Sequence, residues 1–309
     1  MADPLVLPAP APPRCGDAGH AAMLRRATAL SEALKADPSS GYGVHGLFGI
    51  FAAGDRIEHG AWTSNITWLK NSKKYVDYQG VKTRFLYSRL CALHEARGAV
   101  AAPLATICEV GFNAGLSALL LLEAAPTARV VSFDLGDQPW SRAAAATLRS
   151  WYPSRFLGVT FGDAATTIPA YRRQHPSFVC DAAFVDGSKS YEGRHKNLND
   201  LRSMSRRDAP VFLDEVTSRA CVNGSLPTSE HAARCQRLNP PYYASVRAYD
   251  NACRHGKLRV VQCDWPKGRF EDRDGFCAAR FAGSMPTVAG GVAGKATLAD
   301  WFAPADKDL

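Results

Sequence analysis

One stretch of sequence gives the clearest indication of the fold: Ile107-Cys-Glu109-Val-Gly111-Phe-Asn-Ala-Gly115-Leu-Ser117. Its apolar start predicts a strand that ends at Glu109, and a Leu-rich helix follows the second glycine. Gly111 and Gly115 permit a tight turn and a close approach of the backbone to a ligand, and the helix presents free N–H groups to a negative group. The pattern E-x-G-x-x-x-G lacks the G-x-G-x-x-G of a dinucleotide site and the Gly-Lys-Ser/Thr of a phosphate loop. An NAD-linked enzyme is therefore disfavoured, and the turn suits a small ligand with a carboxylate.

Short apolar runs alternate with amphipathic stretches after this motif. They are Ala105–Val110, Arg129–Phe133, Leu157–Phe161, Ala182–Val185, Pro210–Leu213, Leu258–Gln262 and Gly275–Phe281. Strands that alternate with helices predict βαβ units and a mostly parallel sheet. The connection between the last two runs is too short for a crossover helix, so the last strand should be antiparallel. The predicted fold is α/β, with a doubly wound seven-stranded sheet.

The 309 residues are interpreted as one large domain with additions. Helical spacing predicts a helix over 21–36 and two more between Thr63 and His94, parted near Tyr78-Gln-Gly80. The predicted parts are a flexible leader at 1–20, for which an organellar address stays open, an N-terminal helical cap at 21–103, a core domain at 104–282 with a lid segment at 217–241, and a flexible tail at 283–309.

Composition and charge exclude some classes of protein. With 46% hydrophobic and 21% charged residues the chain can bury a large core, and no apolar run approaches the roughly 20 residues that span a membrane. Part of the net charge of +8 lies in residues 61–103, which hold 7 basic and 2 acidic residues. Because these charges form no continuous tract, nucleic acid is disfavoured as a partner. A small-molecule substrate is expected, and an anionic acceptor and a homodimer stay open.

Nine cysteines are present, without a Cys-x-x-Cys pair or a cluster of zinc-site spacing. Cys108 and Cys180 lie inside apolar runs, where a free cysteine behaves as a small buried hydrophobic residue. We therefore expect free thiols, a reducing compartment and a cytoplasmic location.

Two further acidic residues follow predicted strands. Asp134 ends the second strand, and Asp163 follows the third. Ligands of open α/β sheets bind beyond the carboxyl ends of the strands, where an acid can accept hydrogen bonds from two ribose hydroxyls. A single acid at this position is more often a helix N-cap. Three acids in register with a glycine turn nevertheless favour a nucleoside site.

The order of these motifs resembles that of the class I S-adenosylmethionine-dependent methyltransferases over about residues 104–282. The resemblance implies a Rossmann-like sheet and S-adenosyl-L-methionine as the cofactor. It also implies that Glu109 belongs to the first cofactor-binding motif. The further contacts that it implies are Gly111, Gly115 and Ser117 at the methionine moiety, Asp134 at the ribose, and Gly162, Asp163 and Ala164 at the adenine.

Carboxylates also end the fourth and fifth strands. Asp186 follows the fourth strand, and Asp214 and Glu215 end the fifth. Three converging carboxylates can hold a hard divalent ion such as Mg²⁺. Lys189 can offset their charge or act as a base, since burial and neighbouring cations can lower the pKa of a lysine.

Here the chain resembles the catechol and caffeoyl-coenzyme A O-methyltransferase type and its wider, methyltransferase type 24-like relatives. The resemblance implies that Asp186 and Asp214 are metal ligands, that Asp186 also lies beside the cofactor, and that Lys189 and Asp186 are catalytic. The chain departs from that group at Glu215, where the group has Asn, although Glu215 can still be a ligand.

The predicted function is methyl transfer to a small molecule, at a hydroxyl oxygen, with a divalent metal optional. His195 and His231 are alternative bases. The alternative functions are metal-independent transfer to nitrogen or sulfur and a non-catalytic, nucleic-acid-associated protein that retains the fold.

Overall fold

A computed structural model describes residues 15–40, 73–100, 103–216, 240–264 and 275–282. In this part of the chain seven strands form one sheet: β1 (Thr106–Val110), β2 (Arg129–Asp134), β3 (Phe156–Phe161), β4 (Ala182–Val185), β5 (Pro210–Val216), β6 (Leu258–Asp264) and β7 (Gly275–Phe281). The helices are α1 (Asp17–Ala36), α2 (Lys73–Val100), α3 (Leu116–Ala124), α4 (Trp140–Trp151), α5 (Ala164–Gln174), α6 (Tyr191–Met204) and α7 (Pro240–Arg254), with a 3₁₀ turn at Pro38–Ser40.

The strand order is β3-β2-β1-β4-β5-β7-β6. Strands β3, β2, β1, β4 and β5 are parallel to one another, and β7 is antiparallel to both β5 and β6. The predicted sheet and its antiparallel last strand are therefore confirmed. The chain order reverses between β1 and β4, and in open α/β sheets the ligand crevice lies at such a switch point, beyond the carboxyl ends of the strands.

Helices cover both faces of the sheet. Helices α1 to α4 pack on one face, and α5 to α7 pack on the other. All residues of β1, β4 and β7 are buried as a result. Strands buried on both faces read as continuous apolar runs, which explains why the sequence shows them clearly.

The N-terminal helices differ from the prediction at two places. Helix α1 begins at Asp17, inside the segment expected to be a flexible leader. Helix α2 runs unbroken through Gly80 and on to Val100, so the predicted break near Tyr78-Gln-Gly80 is wrong. A glycine inside a helix costs about 1 kcal/mol relative to alanine. Burial of Phe85, Leu86 and neighbouring apolar residues of α2 outweighs that cost.

The prediction of free cysteines is also wrong. Three disulfides join Cys15 to Cys91, Cys108 to Cys180, and Cys263 to Cys277. Among the described residues Cys253 is the free cysteine. Cys108 lies on β1 and Cys180 just before the adjacent β4, so the sheet brings their Cα atoms to 5.7 Å across 72 residues of sequence. The sequence alone does not show this adjacency.

No described helix is long and apolar enough to cross a membrane. The predicted tail at 283–309, most of the predicted lid at 217–241 and His231 lie outside the described residues.

Candidate active site

The turn between β1 and α3 follows the path that its two glycines permit. Gly111 has φ +99° and donates its N–H to the Phe133 carbonyl at 2.9 Å. A Cβ at Gly111 would lie 2.4 Å from the carbonyl oxygen of Asp186, on β4's side of the crevice. Gly115 has φ +79° and forms the N-cap of α3. Positive φ at both positions and the close packing of Gly111 against the Asp186 backbone require glycine here, and the predicted approach of a ligand to this turn stays a prediction.

Glu109 lies at the carboxyl end of β1 and is fully buried. The Ser132 hydroxyl donates to its Oε2 at 2.5 Å, whereas its Oε1 accepts no hydrogen bond from the described residues. Burial raises the pKa of Glu109 to about 8, although the hydroxyls of Ser117 and Ser132 favour its charged form. Glu109 is therefore mostly protonated at neutral pH and keeps one buried oxygen without a partner.

Asp134 ends β2 and ties the glycine turn to the next loop. Its carboxylate accepts hydrogen bonds from the backbone N–H groups of Asn113, at 2.9 Å, and Gly136, at 2.8 Å. The Asp134 carbonyl accepts from the N–H of Gly162 at 2.8 Å, which places the end of β3 alongside. The predicted ribose-binding acid and the predicted adenine-side residues are thus at one edge of the sheet.

Asp163 is the N-cap of α5, where its carboxylate accepts from the Ala165 N–H at 2.9 Å. This is the cap function weighed as the alternative for a strand-end acid. Ala164 is the first residue of the helix. Contact of Gly162, Asp163 and Ala164 with an adenine stays a prediction.

A network of ion pairs lies at the ends of β4 and β5. It contains the three carboxylates predicted as metal ligands and three cations: Asp186, Asp214, Glu215, Lys82, Lys189 and Arg194. Lys189 Nζ lies 2.6 Å from an oxygen of Asp186 and 2.6 Å from Glu215 Oε2. Lys82, from α2, is paired with Asp214.

Arg194 is the buried cation of this network. Its side chain is fully buried, donates to the Val185 carbonyl at 2.9 Å and pairs with Glu215 Oε2 at 2.9 Å. Tyr249 of α7 donates its hydroxyl to the Asp214 carbonyl at 2.9 Å, and the Arg194 guanidinium lies over its ring. Glu215 has φ +59°, an unusual conformation for a residue with a side chain, and its N–H donates to Asp214 Oδ1 at 2.8 Å. Such backbone strain is concentrated at functional sites.

The charges of the network do not suit Lys189 as a base. Burial opposes its charge, but Asp186 and Glu215 outweigh burial and raise the pKa of Lys189. Likewise burial opposes the charge of Asp186, but Lys189, Lys82 and Arg194 lower the pKa of that carboxyl to about 2. Of the two roles predicted for Lys189, these carboxylates therefore favour the offsetting of their charge over the role of a base. Lys189 is a charged hydrogen-bond donor.

The carboxylates do not fit a metal site either. Among the described residues, the one group of three metal-ligating side chains whose ligand atoms converge is Cys15, Cys91 and Glu95, and its two cysteines form a disulfide. Each of the three predicted ligands, in contrast, is already paired with a cation of the chain. The structure thus supplies the positive charge that the sequence analysis assigned to Mg²⁺.

Sequence reasoning missed Lys82, Arg194 and Asn113 as parts of the site. Asn113 adopts φ +47° in the glycine turn and accepts a hydrogen bond from the indole of Trp140 at 2.7 Å. Lys82 comes from a distant helix, so no local pattern could have identified it. Arg194 lies on α6 only eight residues after Asp186 in the sequence, and this proximity was the available signal.

The other predicted groups do not join the network. His195 stacks on Tyr191 and lies 3.5 Å from Asn251, beside Lys257 before β6; burial and Lys257 lower its pKa. Apart from Lys82, the basic residues of 61–103 include Arg84, which pairs with Asp17 at 3.4 Å, and Arg97, which pairs with Asp181 at 3.6 Å.

Part of the chain matches a known protein family. Residues 108–216 match the family model described as a methyltransferase domain. The chain carries a methyltransferase domain. Over these residues the predicted resemblance to the class I, S-adenosylmethionine-dependent methyltransferases is confirmed, and this domain supports the prediction of an enzyme. No curated protein matched the sequence.

Several solved structures resemble this chain. An O-methyltransferase from Bacillus cereus in complex with SAH has 13% identity and a TM-score of 0.50, covering 84% of this chain and 90% of that one. Cofactor-bound Rv0187 from MTB has 19% identity and a TM-score of 0.48, with 88% and 98% covered. The N-methyltransferase NodS from Bradyrhizobium japonicum, in complex with S-adenosyl-L-homocysteine, has 13% identity and a TM-score of 0.41, with 71% and 93% covered. The likeness to the Bacillus cereus structure shows the fold alone.

The residues of the crevice fit the cofactor of this methyltransferase. The Gly111 turn packs closely against the Asp186 backbone beside the crevice, and the buried Oε1 of Glu109 has no hydrogen-bond partner among the described residues, which leaves it for a ligand. Asp134 lies at the strand end where a ribose is held in such folds. Glu109, Gly111, Gly115, Ser117 and Asp134 would therefore hold S-adenosylmethionine, which supplies a sulfonium methyl group for transfer.

Proposed function

We propose that the methyltransferase transfers a methyl group from S-adenosylmethionine to a hydroxyl oxygen of a small molecule. The observation that carries this proposal is the joint placement of the Gly111 turn and the ion-pair network, because the Asp186 backbone touches both. Gly111 packs against the Asp186 carbonyl, and the Asp186 carboxylate pairs with Lys189. A cofactor on the turn and an acceptor beside the network would be neighbours, as an in-line transfer requires.

Lys189 is the residue best placed to act on the acceptor. Its side chain is 39% exposed, more than those of Asp186 and Glu215, so it can reach a ligand while it keeps its ion pairs. A charged ammonium favours the ionised form of a nearby hydroxyl. Lys189 would therefore stabilise an ionised acceptor oxygen, whose proton passes to solvent. This role favours acceptors with acidic hydroxyls, such as phenols and enols.

The disulfides bear on the location of this reaction. Three disulfides within the described residues are typical of oxidising compartments and rare in the cytosol. The proposal therefore places the mature enzyme in an oxidising compartment and does not retain the predicted cytoplasmic location. Alkylation of the protein purified from its native cells without reductant tests this point, because all six bonded cysteines should escape labelling. Labelling of all six would contradict it.

Mass spectrometry tests the chemistry. The protein is incubated with trideuteromethyl-labelled S-adenosylmethionine and matched hydroxyl, amine and thiol compounds, and labelled products are identified. We expect labelled hydroxyl compounds, with phenols ahead of simple alcohols, and loss of product in Asp134→Ala. Labelling confined to amines or thiols would refute the proposed acceptor class.

A further inference from the structure

Lys82 enters the ion-pair network from outside the sheet. It lies on α2, 132 residues before Asp214, and donates a hydrogen bond to Asp214 Oδ2. The two side chains are only 14% and 3% exposed. A buried lysine and a buried aspartate that pair across such a separation form part of the site's construction, because leaving either charge buried alone would be costly.

The packing of α2 fixes the position of this ammonium group. The hydroxyl oxygen of Thr83, the residue next to Lys82, lies 3.3 Å from Nε2 of His20 on α1. Phe85 packs against Phe276 of β7 with ring centroids 4.8 Å apart, and β7 is the neighbour of β5. The helix therefore holds Lys82 over the end of β5, and the position of its ammonium group is fixed by the packing of α2.

The charges of the network balance without an ion. Its three carboxylates face three cations, and Lys82 occupies an oxygen of Asp214 that a divalent ion would need as a ligand. A divalent ion in the same place would bring two further positive charges next to Lys82 and Lys189. Hard cations such as Mg²⁺ bind through carboxylate oxygens, and among the described residues of this site each of the three carboxylates is already balanced by a cation.

We propose that the Lys82 ammonium stands in the place of the divalent ion, so that methyl transfer by this chain is metal-independent. The inference rests on the proposed function for its catalytic meaning, but the binding of metal can be measured without any substrate. Lys82 is a positioning residue: it holds Asp214 and, through it, the end of β5.

Binding of Mn²⁺ tests the proposal. Unchanged protein, Lys82→Met and Lys196→Met are treated with chelator, desalted and titrated with Mn²⁺ alone, with free Mn²⁺ followed by electron paramagnetic resonance. Methionine keeps an apolar stem, and Lys196 is a matched control because it pairs with Asp200 on the surface of α6. We expect no stoichiometric Mn²⁺ site in the unchanged protein or in Lys196→Met. Lys82→Met should bind Mn²⁺ at least about tenfold more tightly than the weak residual binding of the unchanged protein. Adding Asp214→Asn to Lys82→Met should abolish that gain.

Two results would overturn the inference. One is a stoichiometric Mn²⁺ site in the unchanged protein that Asp214→Asn removes. The other is a folded Lys82→Met variant with no gain in Mn²⁺ binding. The unchanged protein provides the first test even if Lys82→Met does not fold. Failure of the mass-spectrometric screen would refute methyl transfer to hydroxyls but leave both binding results interpretable.

Discussion

Replacing Glu109 with glutamine removes a buried ionisable group and nearly preserves its shape. The Ser132 hydroxyl donates to one oxygen of Glu109, a contact that the amide oxygen of glutamine can keep. Burial raises the pKa of the native carboxyl to about 8, so the protonated acid and the amide are similar neutral groups at low pH. The two proteins should therefore differ little in stability in mild acid and increasingly as the pH rises.

The direction and size of the difference follow from linkage. The unfolded chain loses the Glu109 proton near the ordinary pKa of 4.5, whereas the folded protein keeps it until about pH 8. The stability due to this group is thus fully present below about pH 4.5 and is lost as the pH rises to about 8. At about 1.4 kcal/mol for each pH unit, the total loss is about 5 kcal/mol. Glu109→Gln should escape it.

Urea unfolding from about pH 5 to about pH 8 measures this effect. The free energy of unfolding of Glu109→Gln, relative to that of the unchanged protein, should rise steadily over this range. Glu32→Gln, which removes a glutamate that is 63% exposed on α1, is the control for loss of a carboxylate elsewhere. Parallel profiles for the unchanged protein and Glu109→Gln would refute the reasoning that Glu109 is buried as a neutral acid.

Three further predictions concern the cofactor turn and the disulfides. Asp134→Ala should weaken S-adenosylhomocysteine binding about tenfold to a hundredfold in calorimetry, because hydrogen bonds to a charged group contribute about 1.5–3 kcal/mol; an unchanged affinity would contradict the ribose assignment. Gly111→Ala should weaken binding at least about tenfold, since its Cβ adds a backbone clash to the roughly 1–2 kcal/mol of a positive φ, whereas Gly98→Ala, whose Cβ meets nothing closer than 4.0 Å, should not. Replacing Cys108 and Cys180 with serine should lower the free energy of unfolding by about 4 kcal/mol for a loop of 72 residues; a loss below about 1 kcal/mol would show that this disulfide does not constrain the chain.

The sheet could be predicted from sequence because its strands are buried on both faces. Ala182–Val185 and Gly275–Phe281 were predicted with the bounds that the structure has. Helix α2 was harder, since Gly80 is a local signal for a break and the packing that overrides it is not local. Propensity is a weak guide where burial decides the outcome.

The same distinction between local and non-local signals applies to the residues of the site. Strand-end acids such as Glu109 and Asp134 could be placed together because parallel strands bring their carboxyl ends to one edge. The partners of the acids could not be predicted, since Lys82 reaches Asp214 from a helix far away in sequence. The Cys108–Cys180 disulfide likewise depends on which strands are neighbours. Strand order determines the disulfide and the packing of α2 on the sheet determines the ion pair, and the sequence states neither.

Calorimetric titration of the purified protein with S-adenosylhomocysteine tests whether the β1–α3 turn binds the cofactor. We predict one binding event per chain, weakened in Asp134→Ala and retained in Gly98→Ala. Absence of binding heat at several temperatures, in protein shown by circular dichroism to be folded, would contradict the assignment of the β1–α3 turn as a cofactor site.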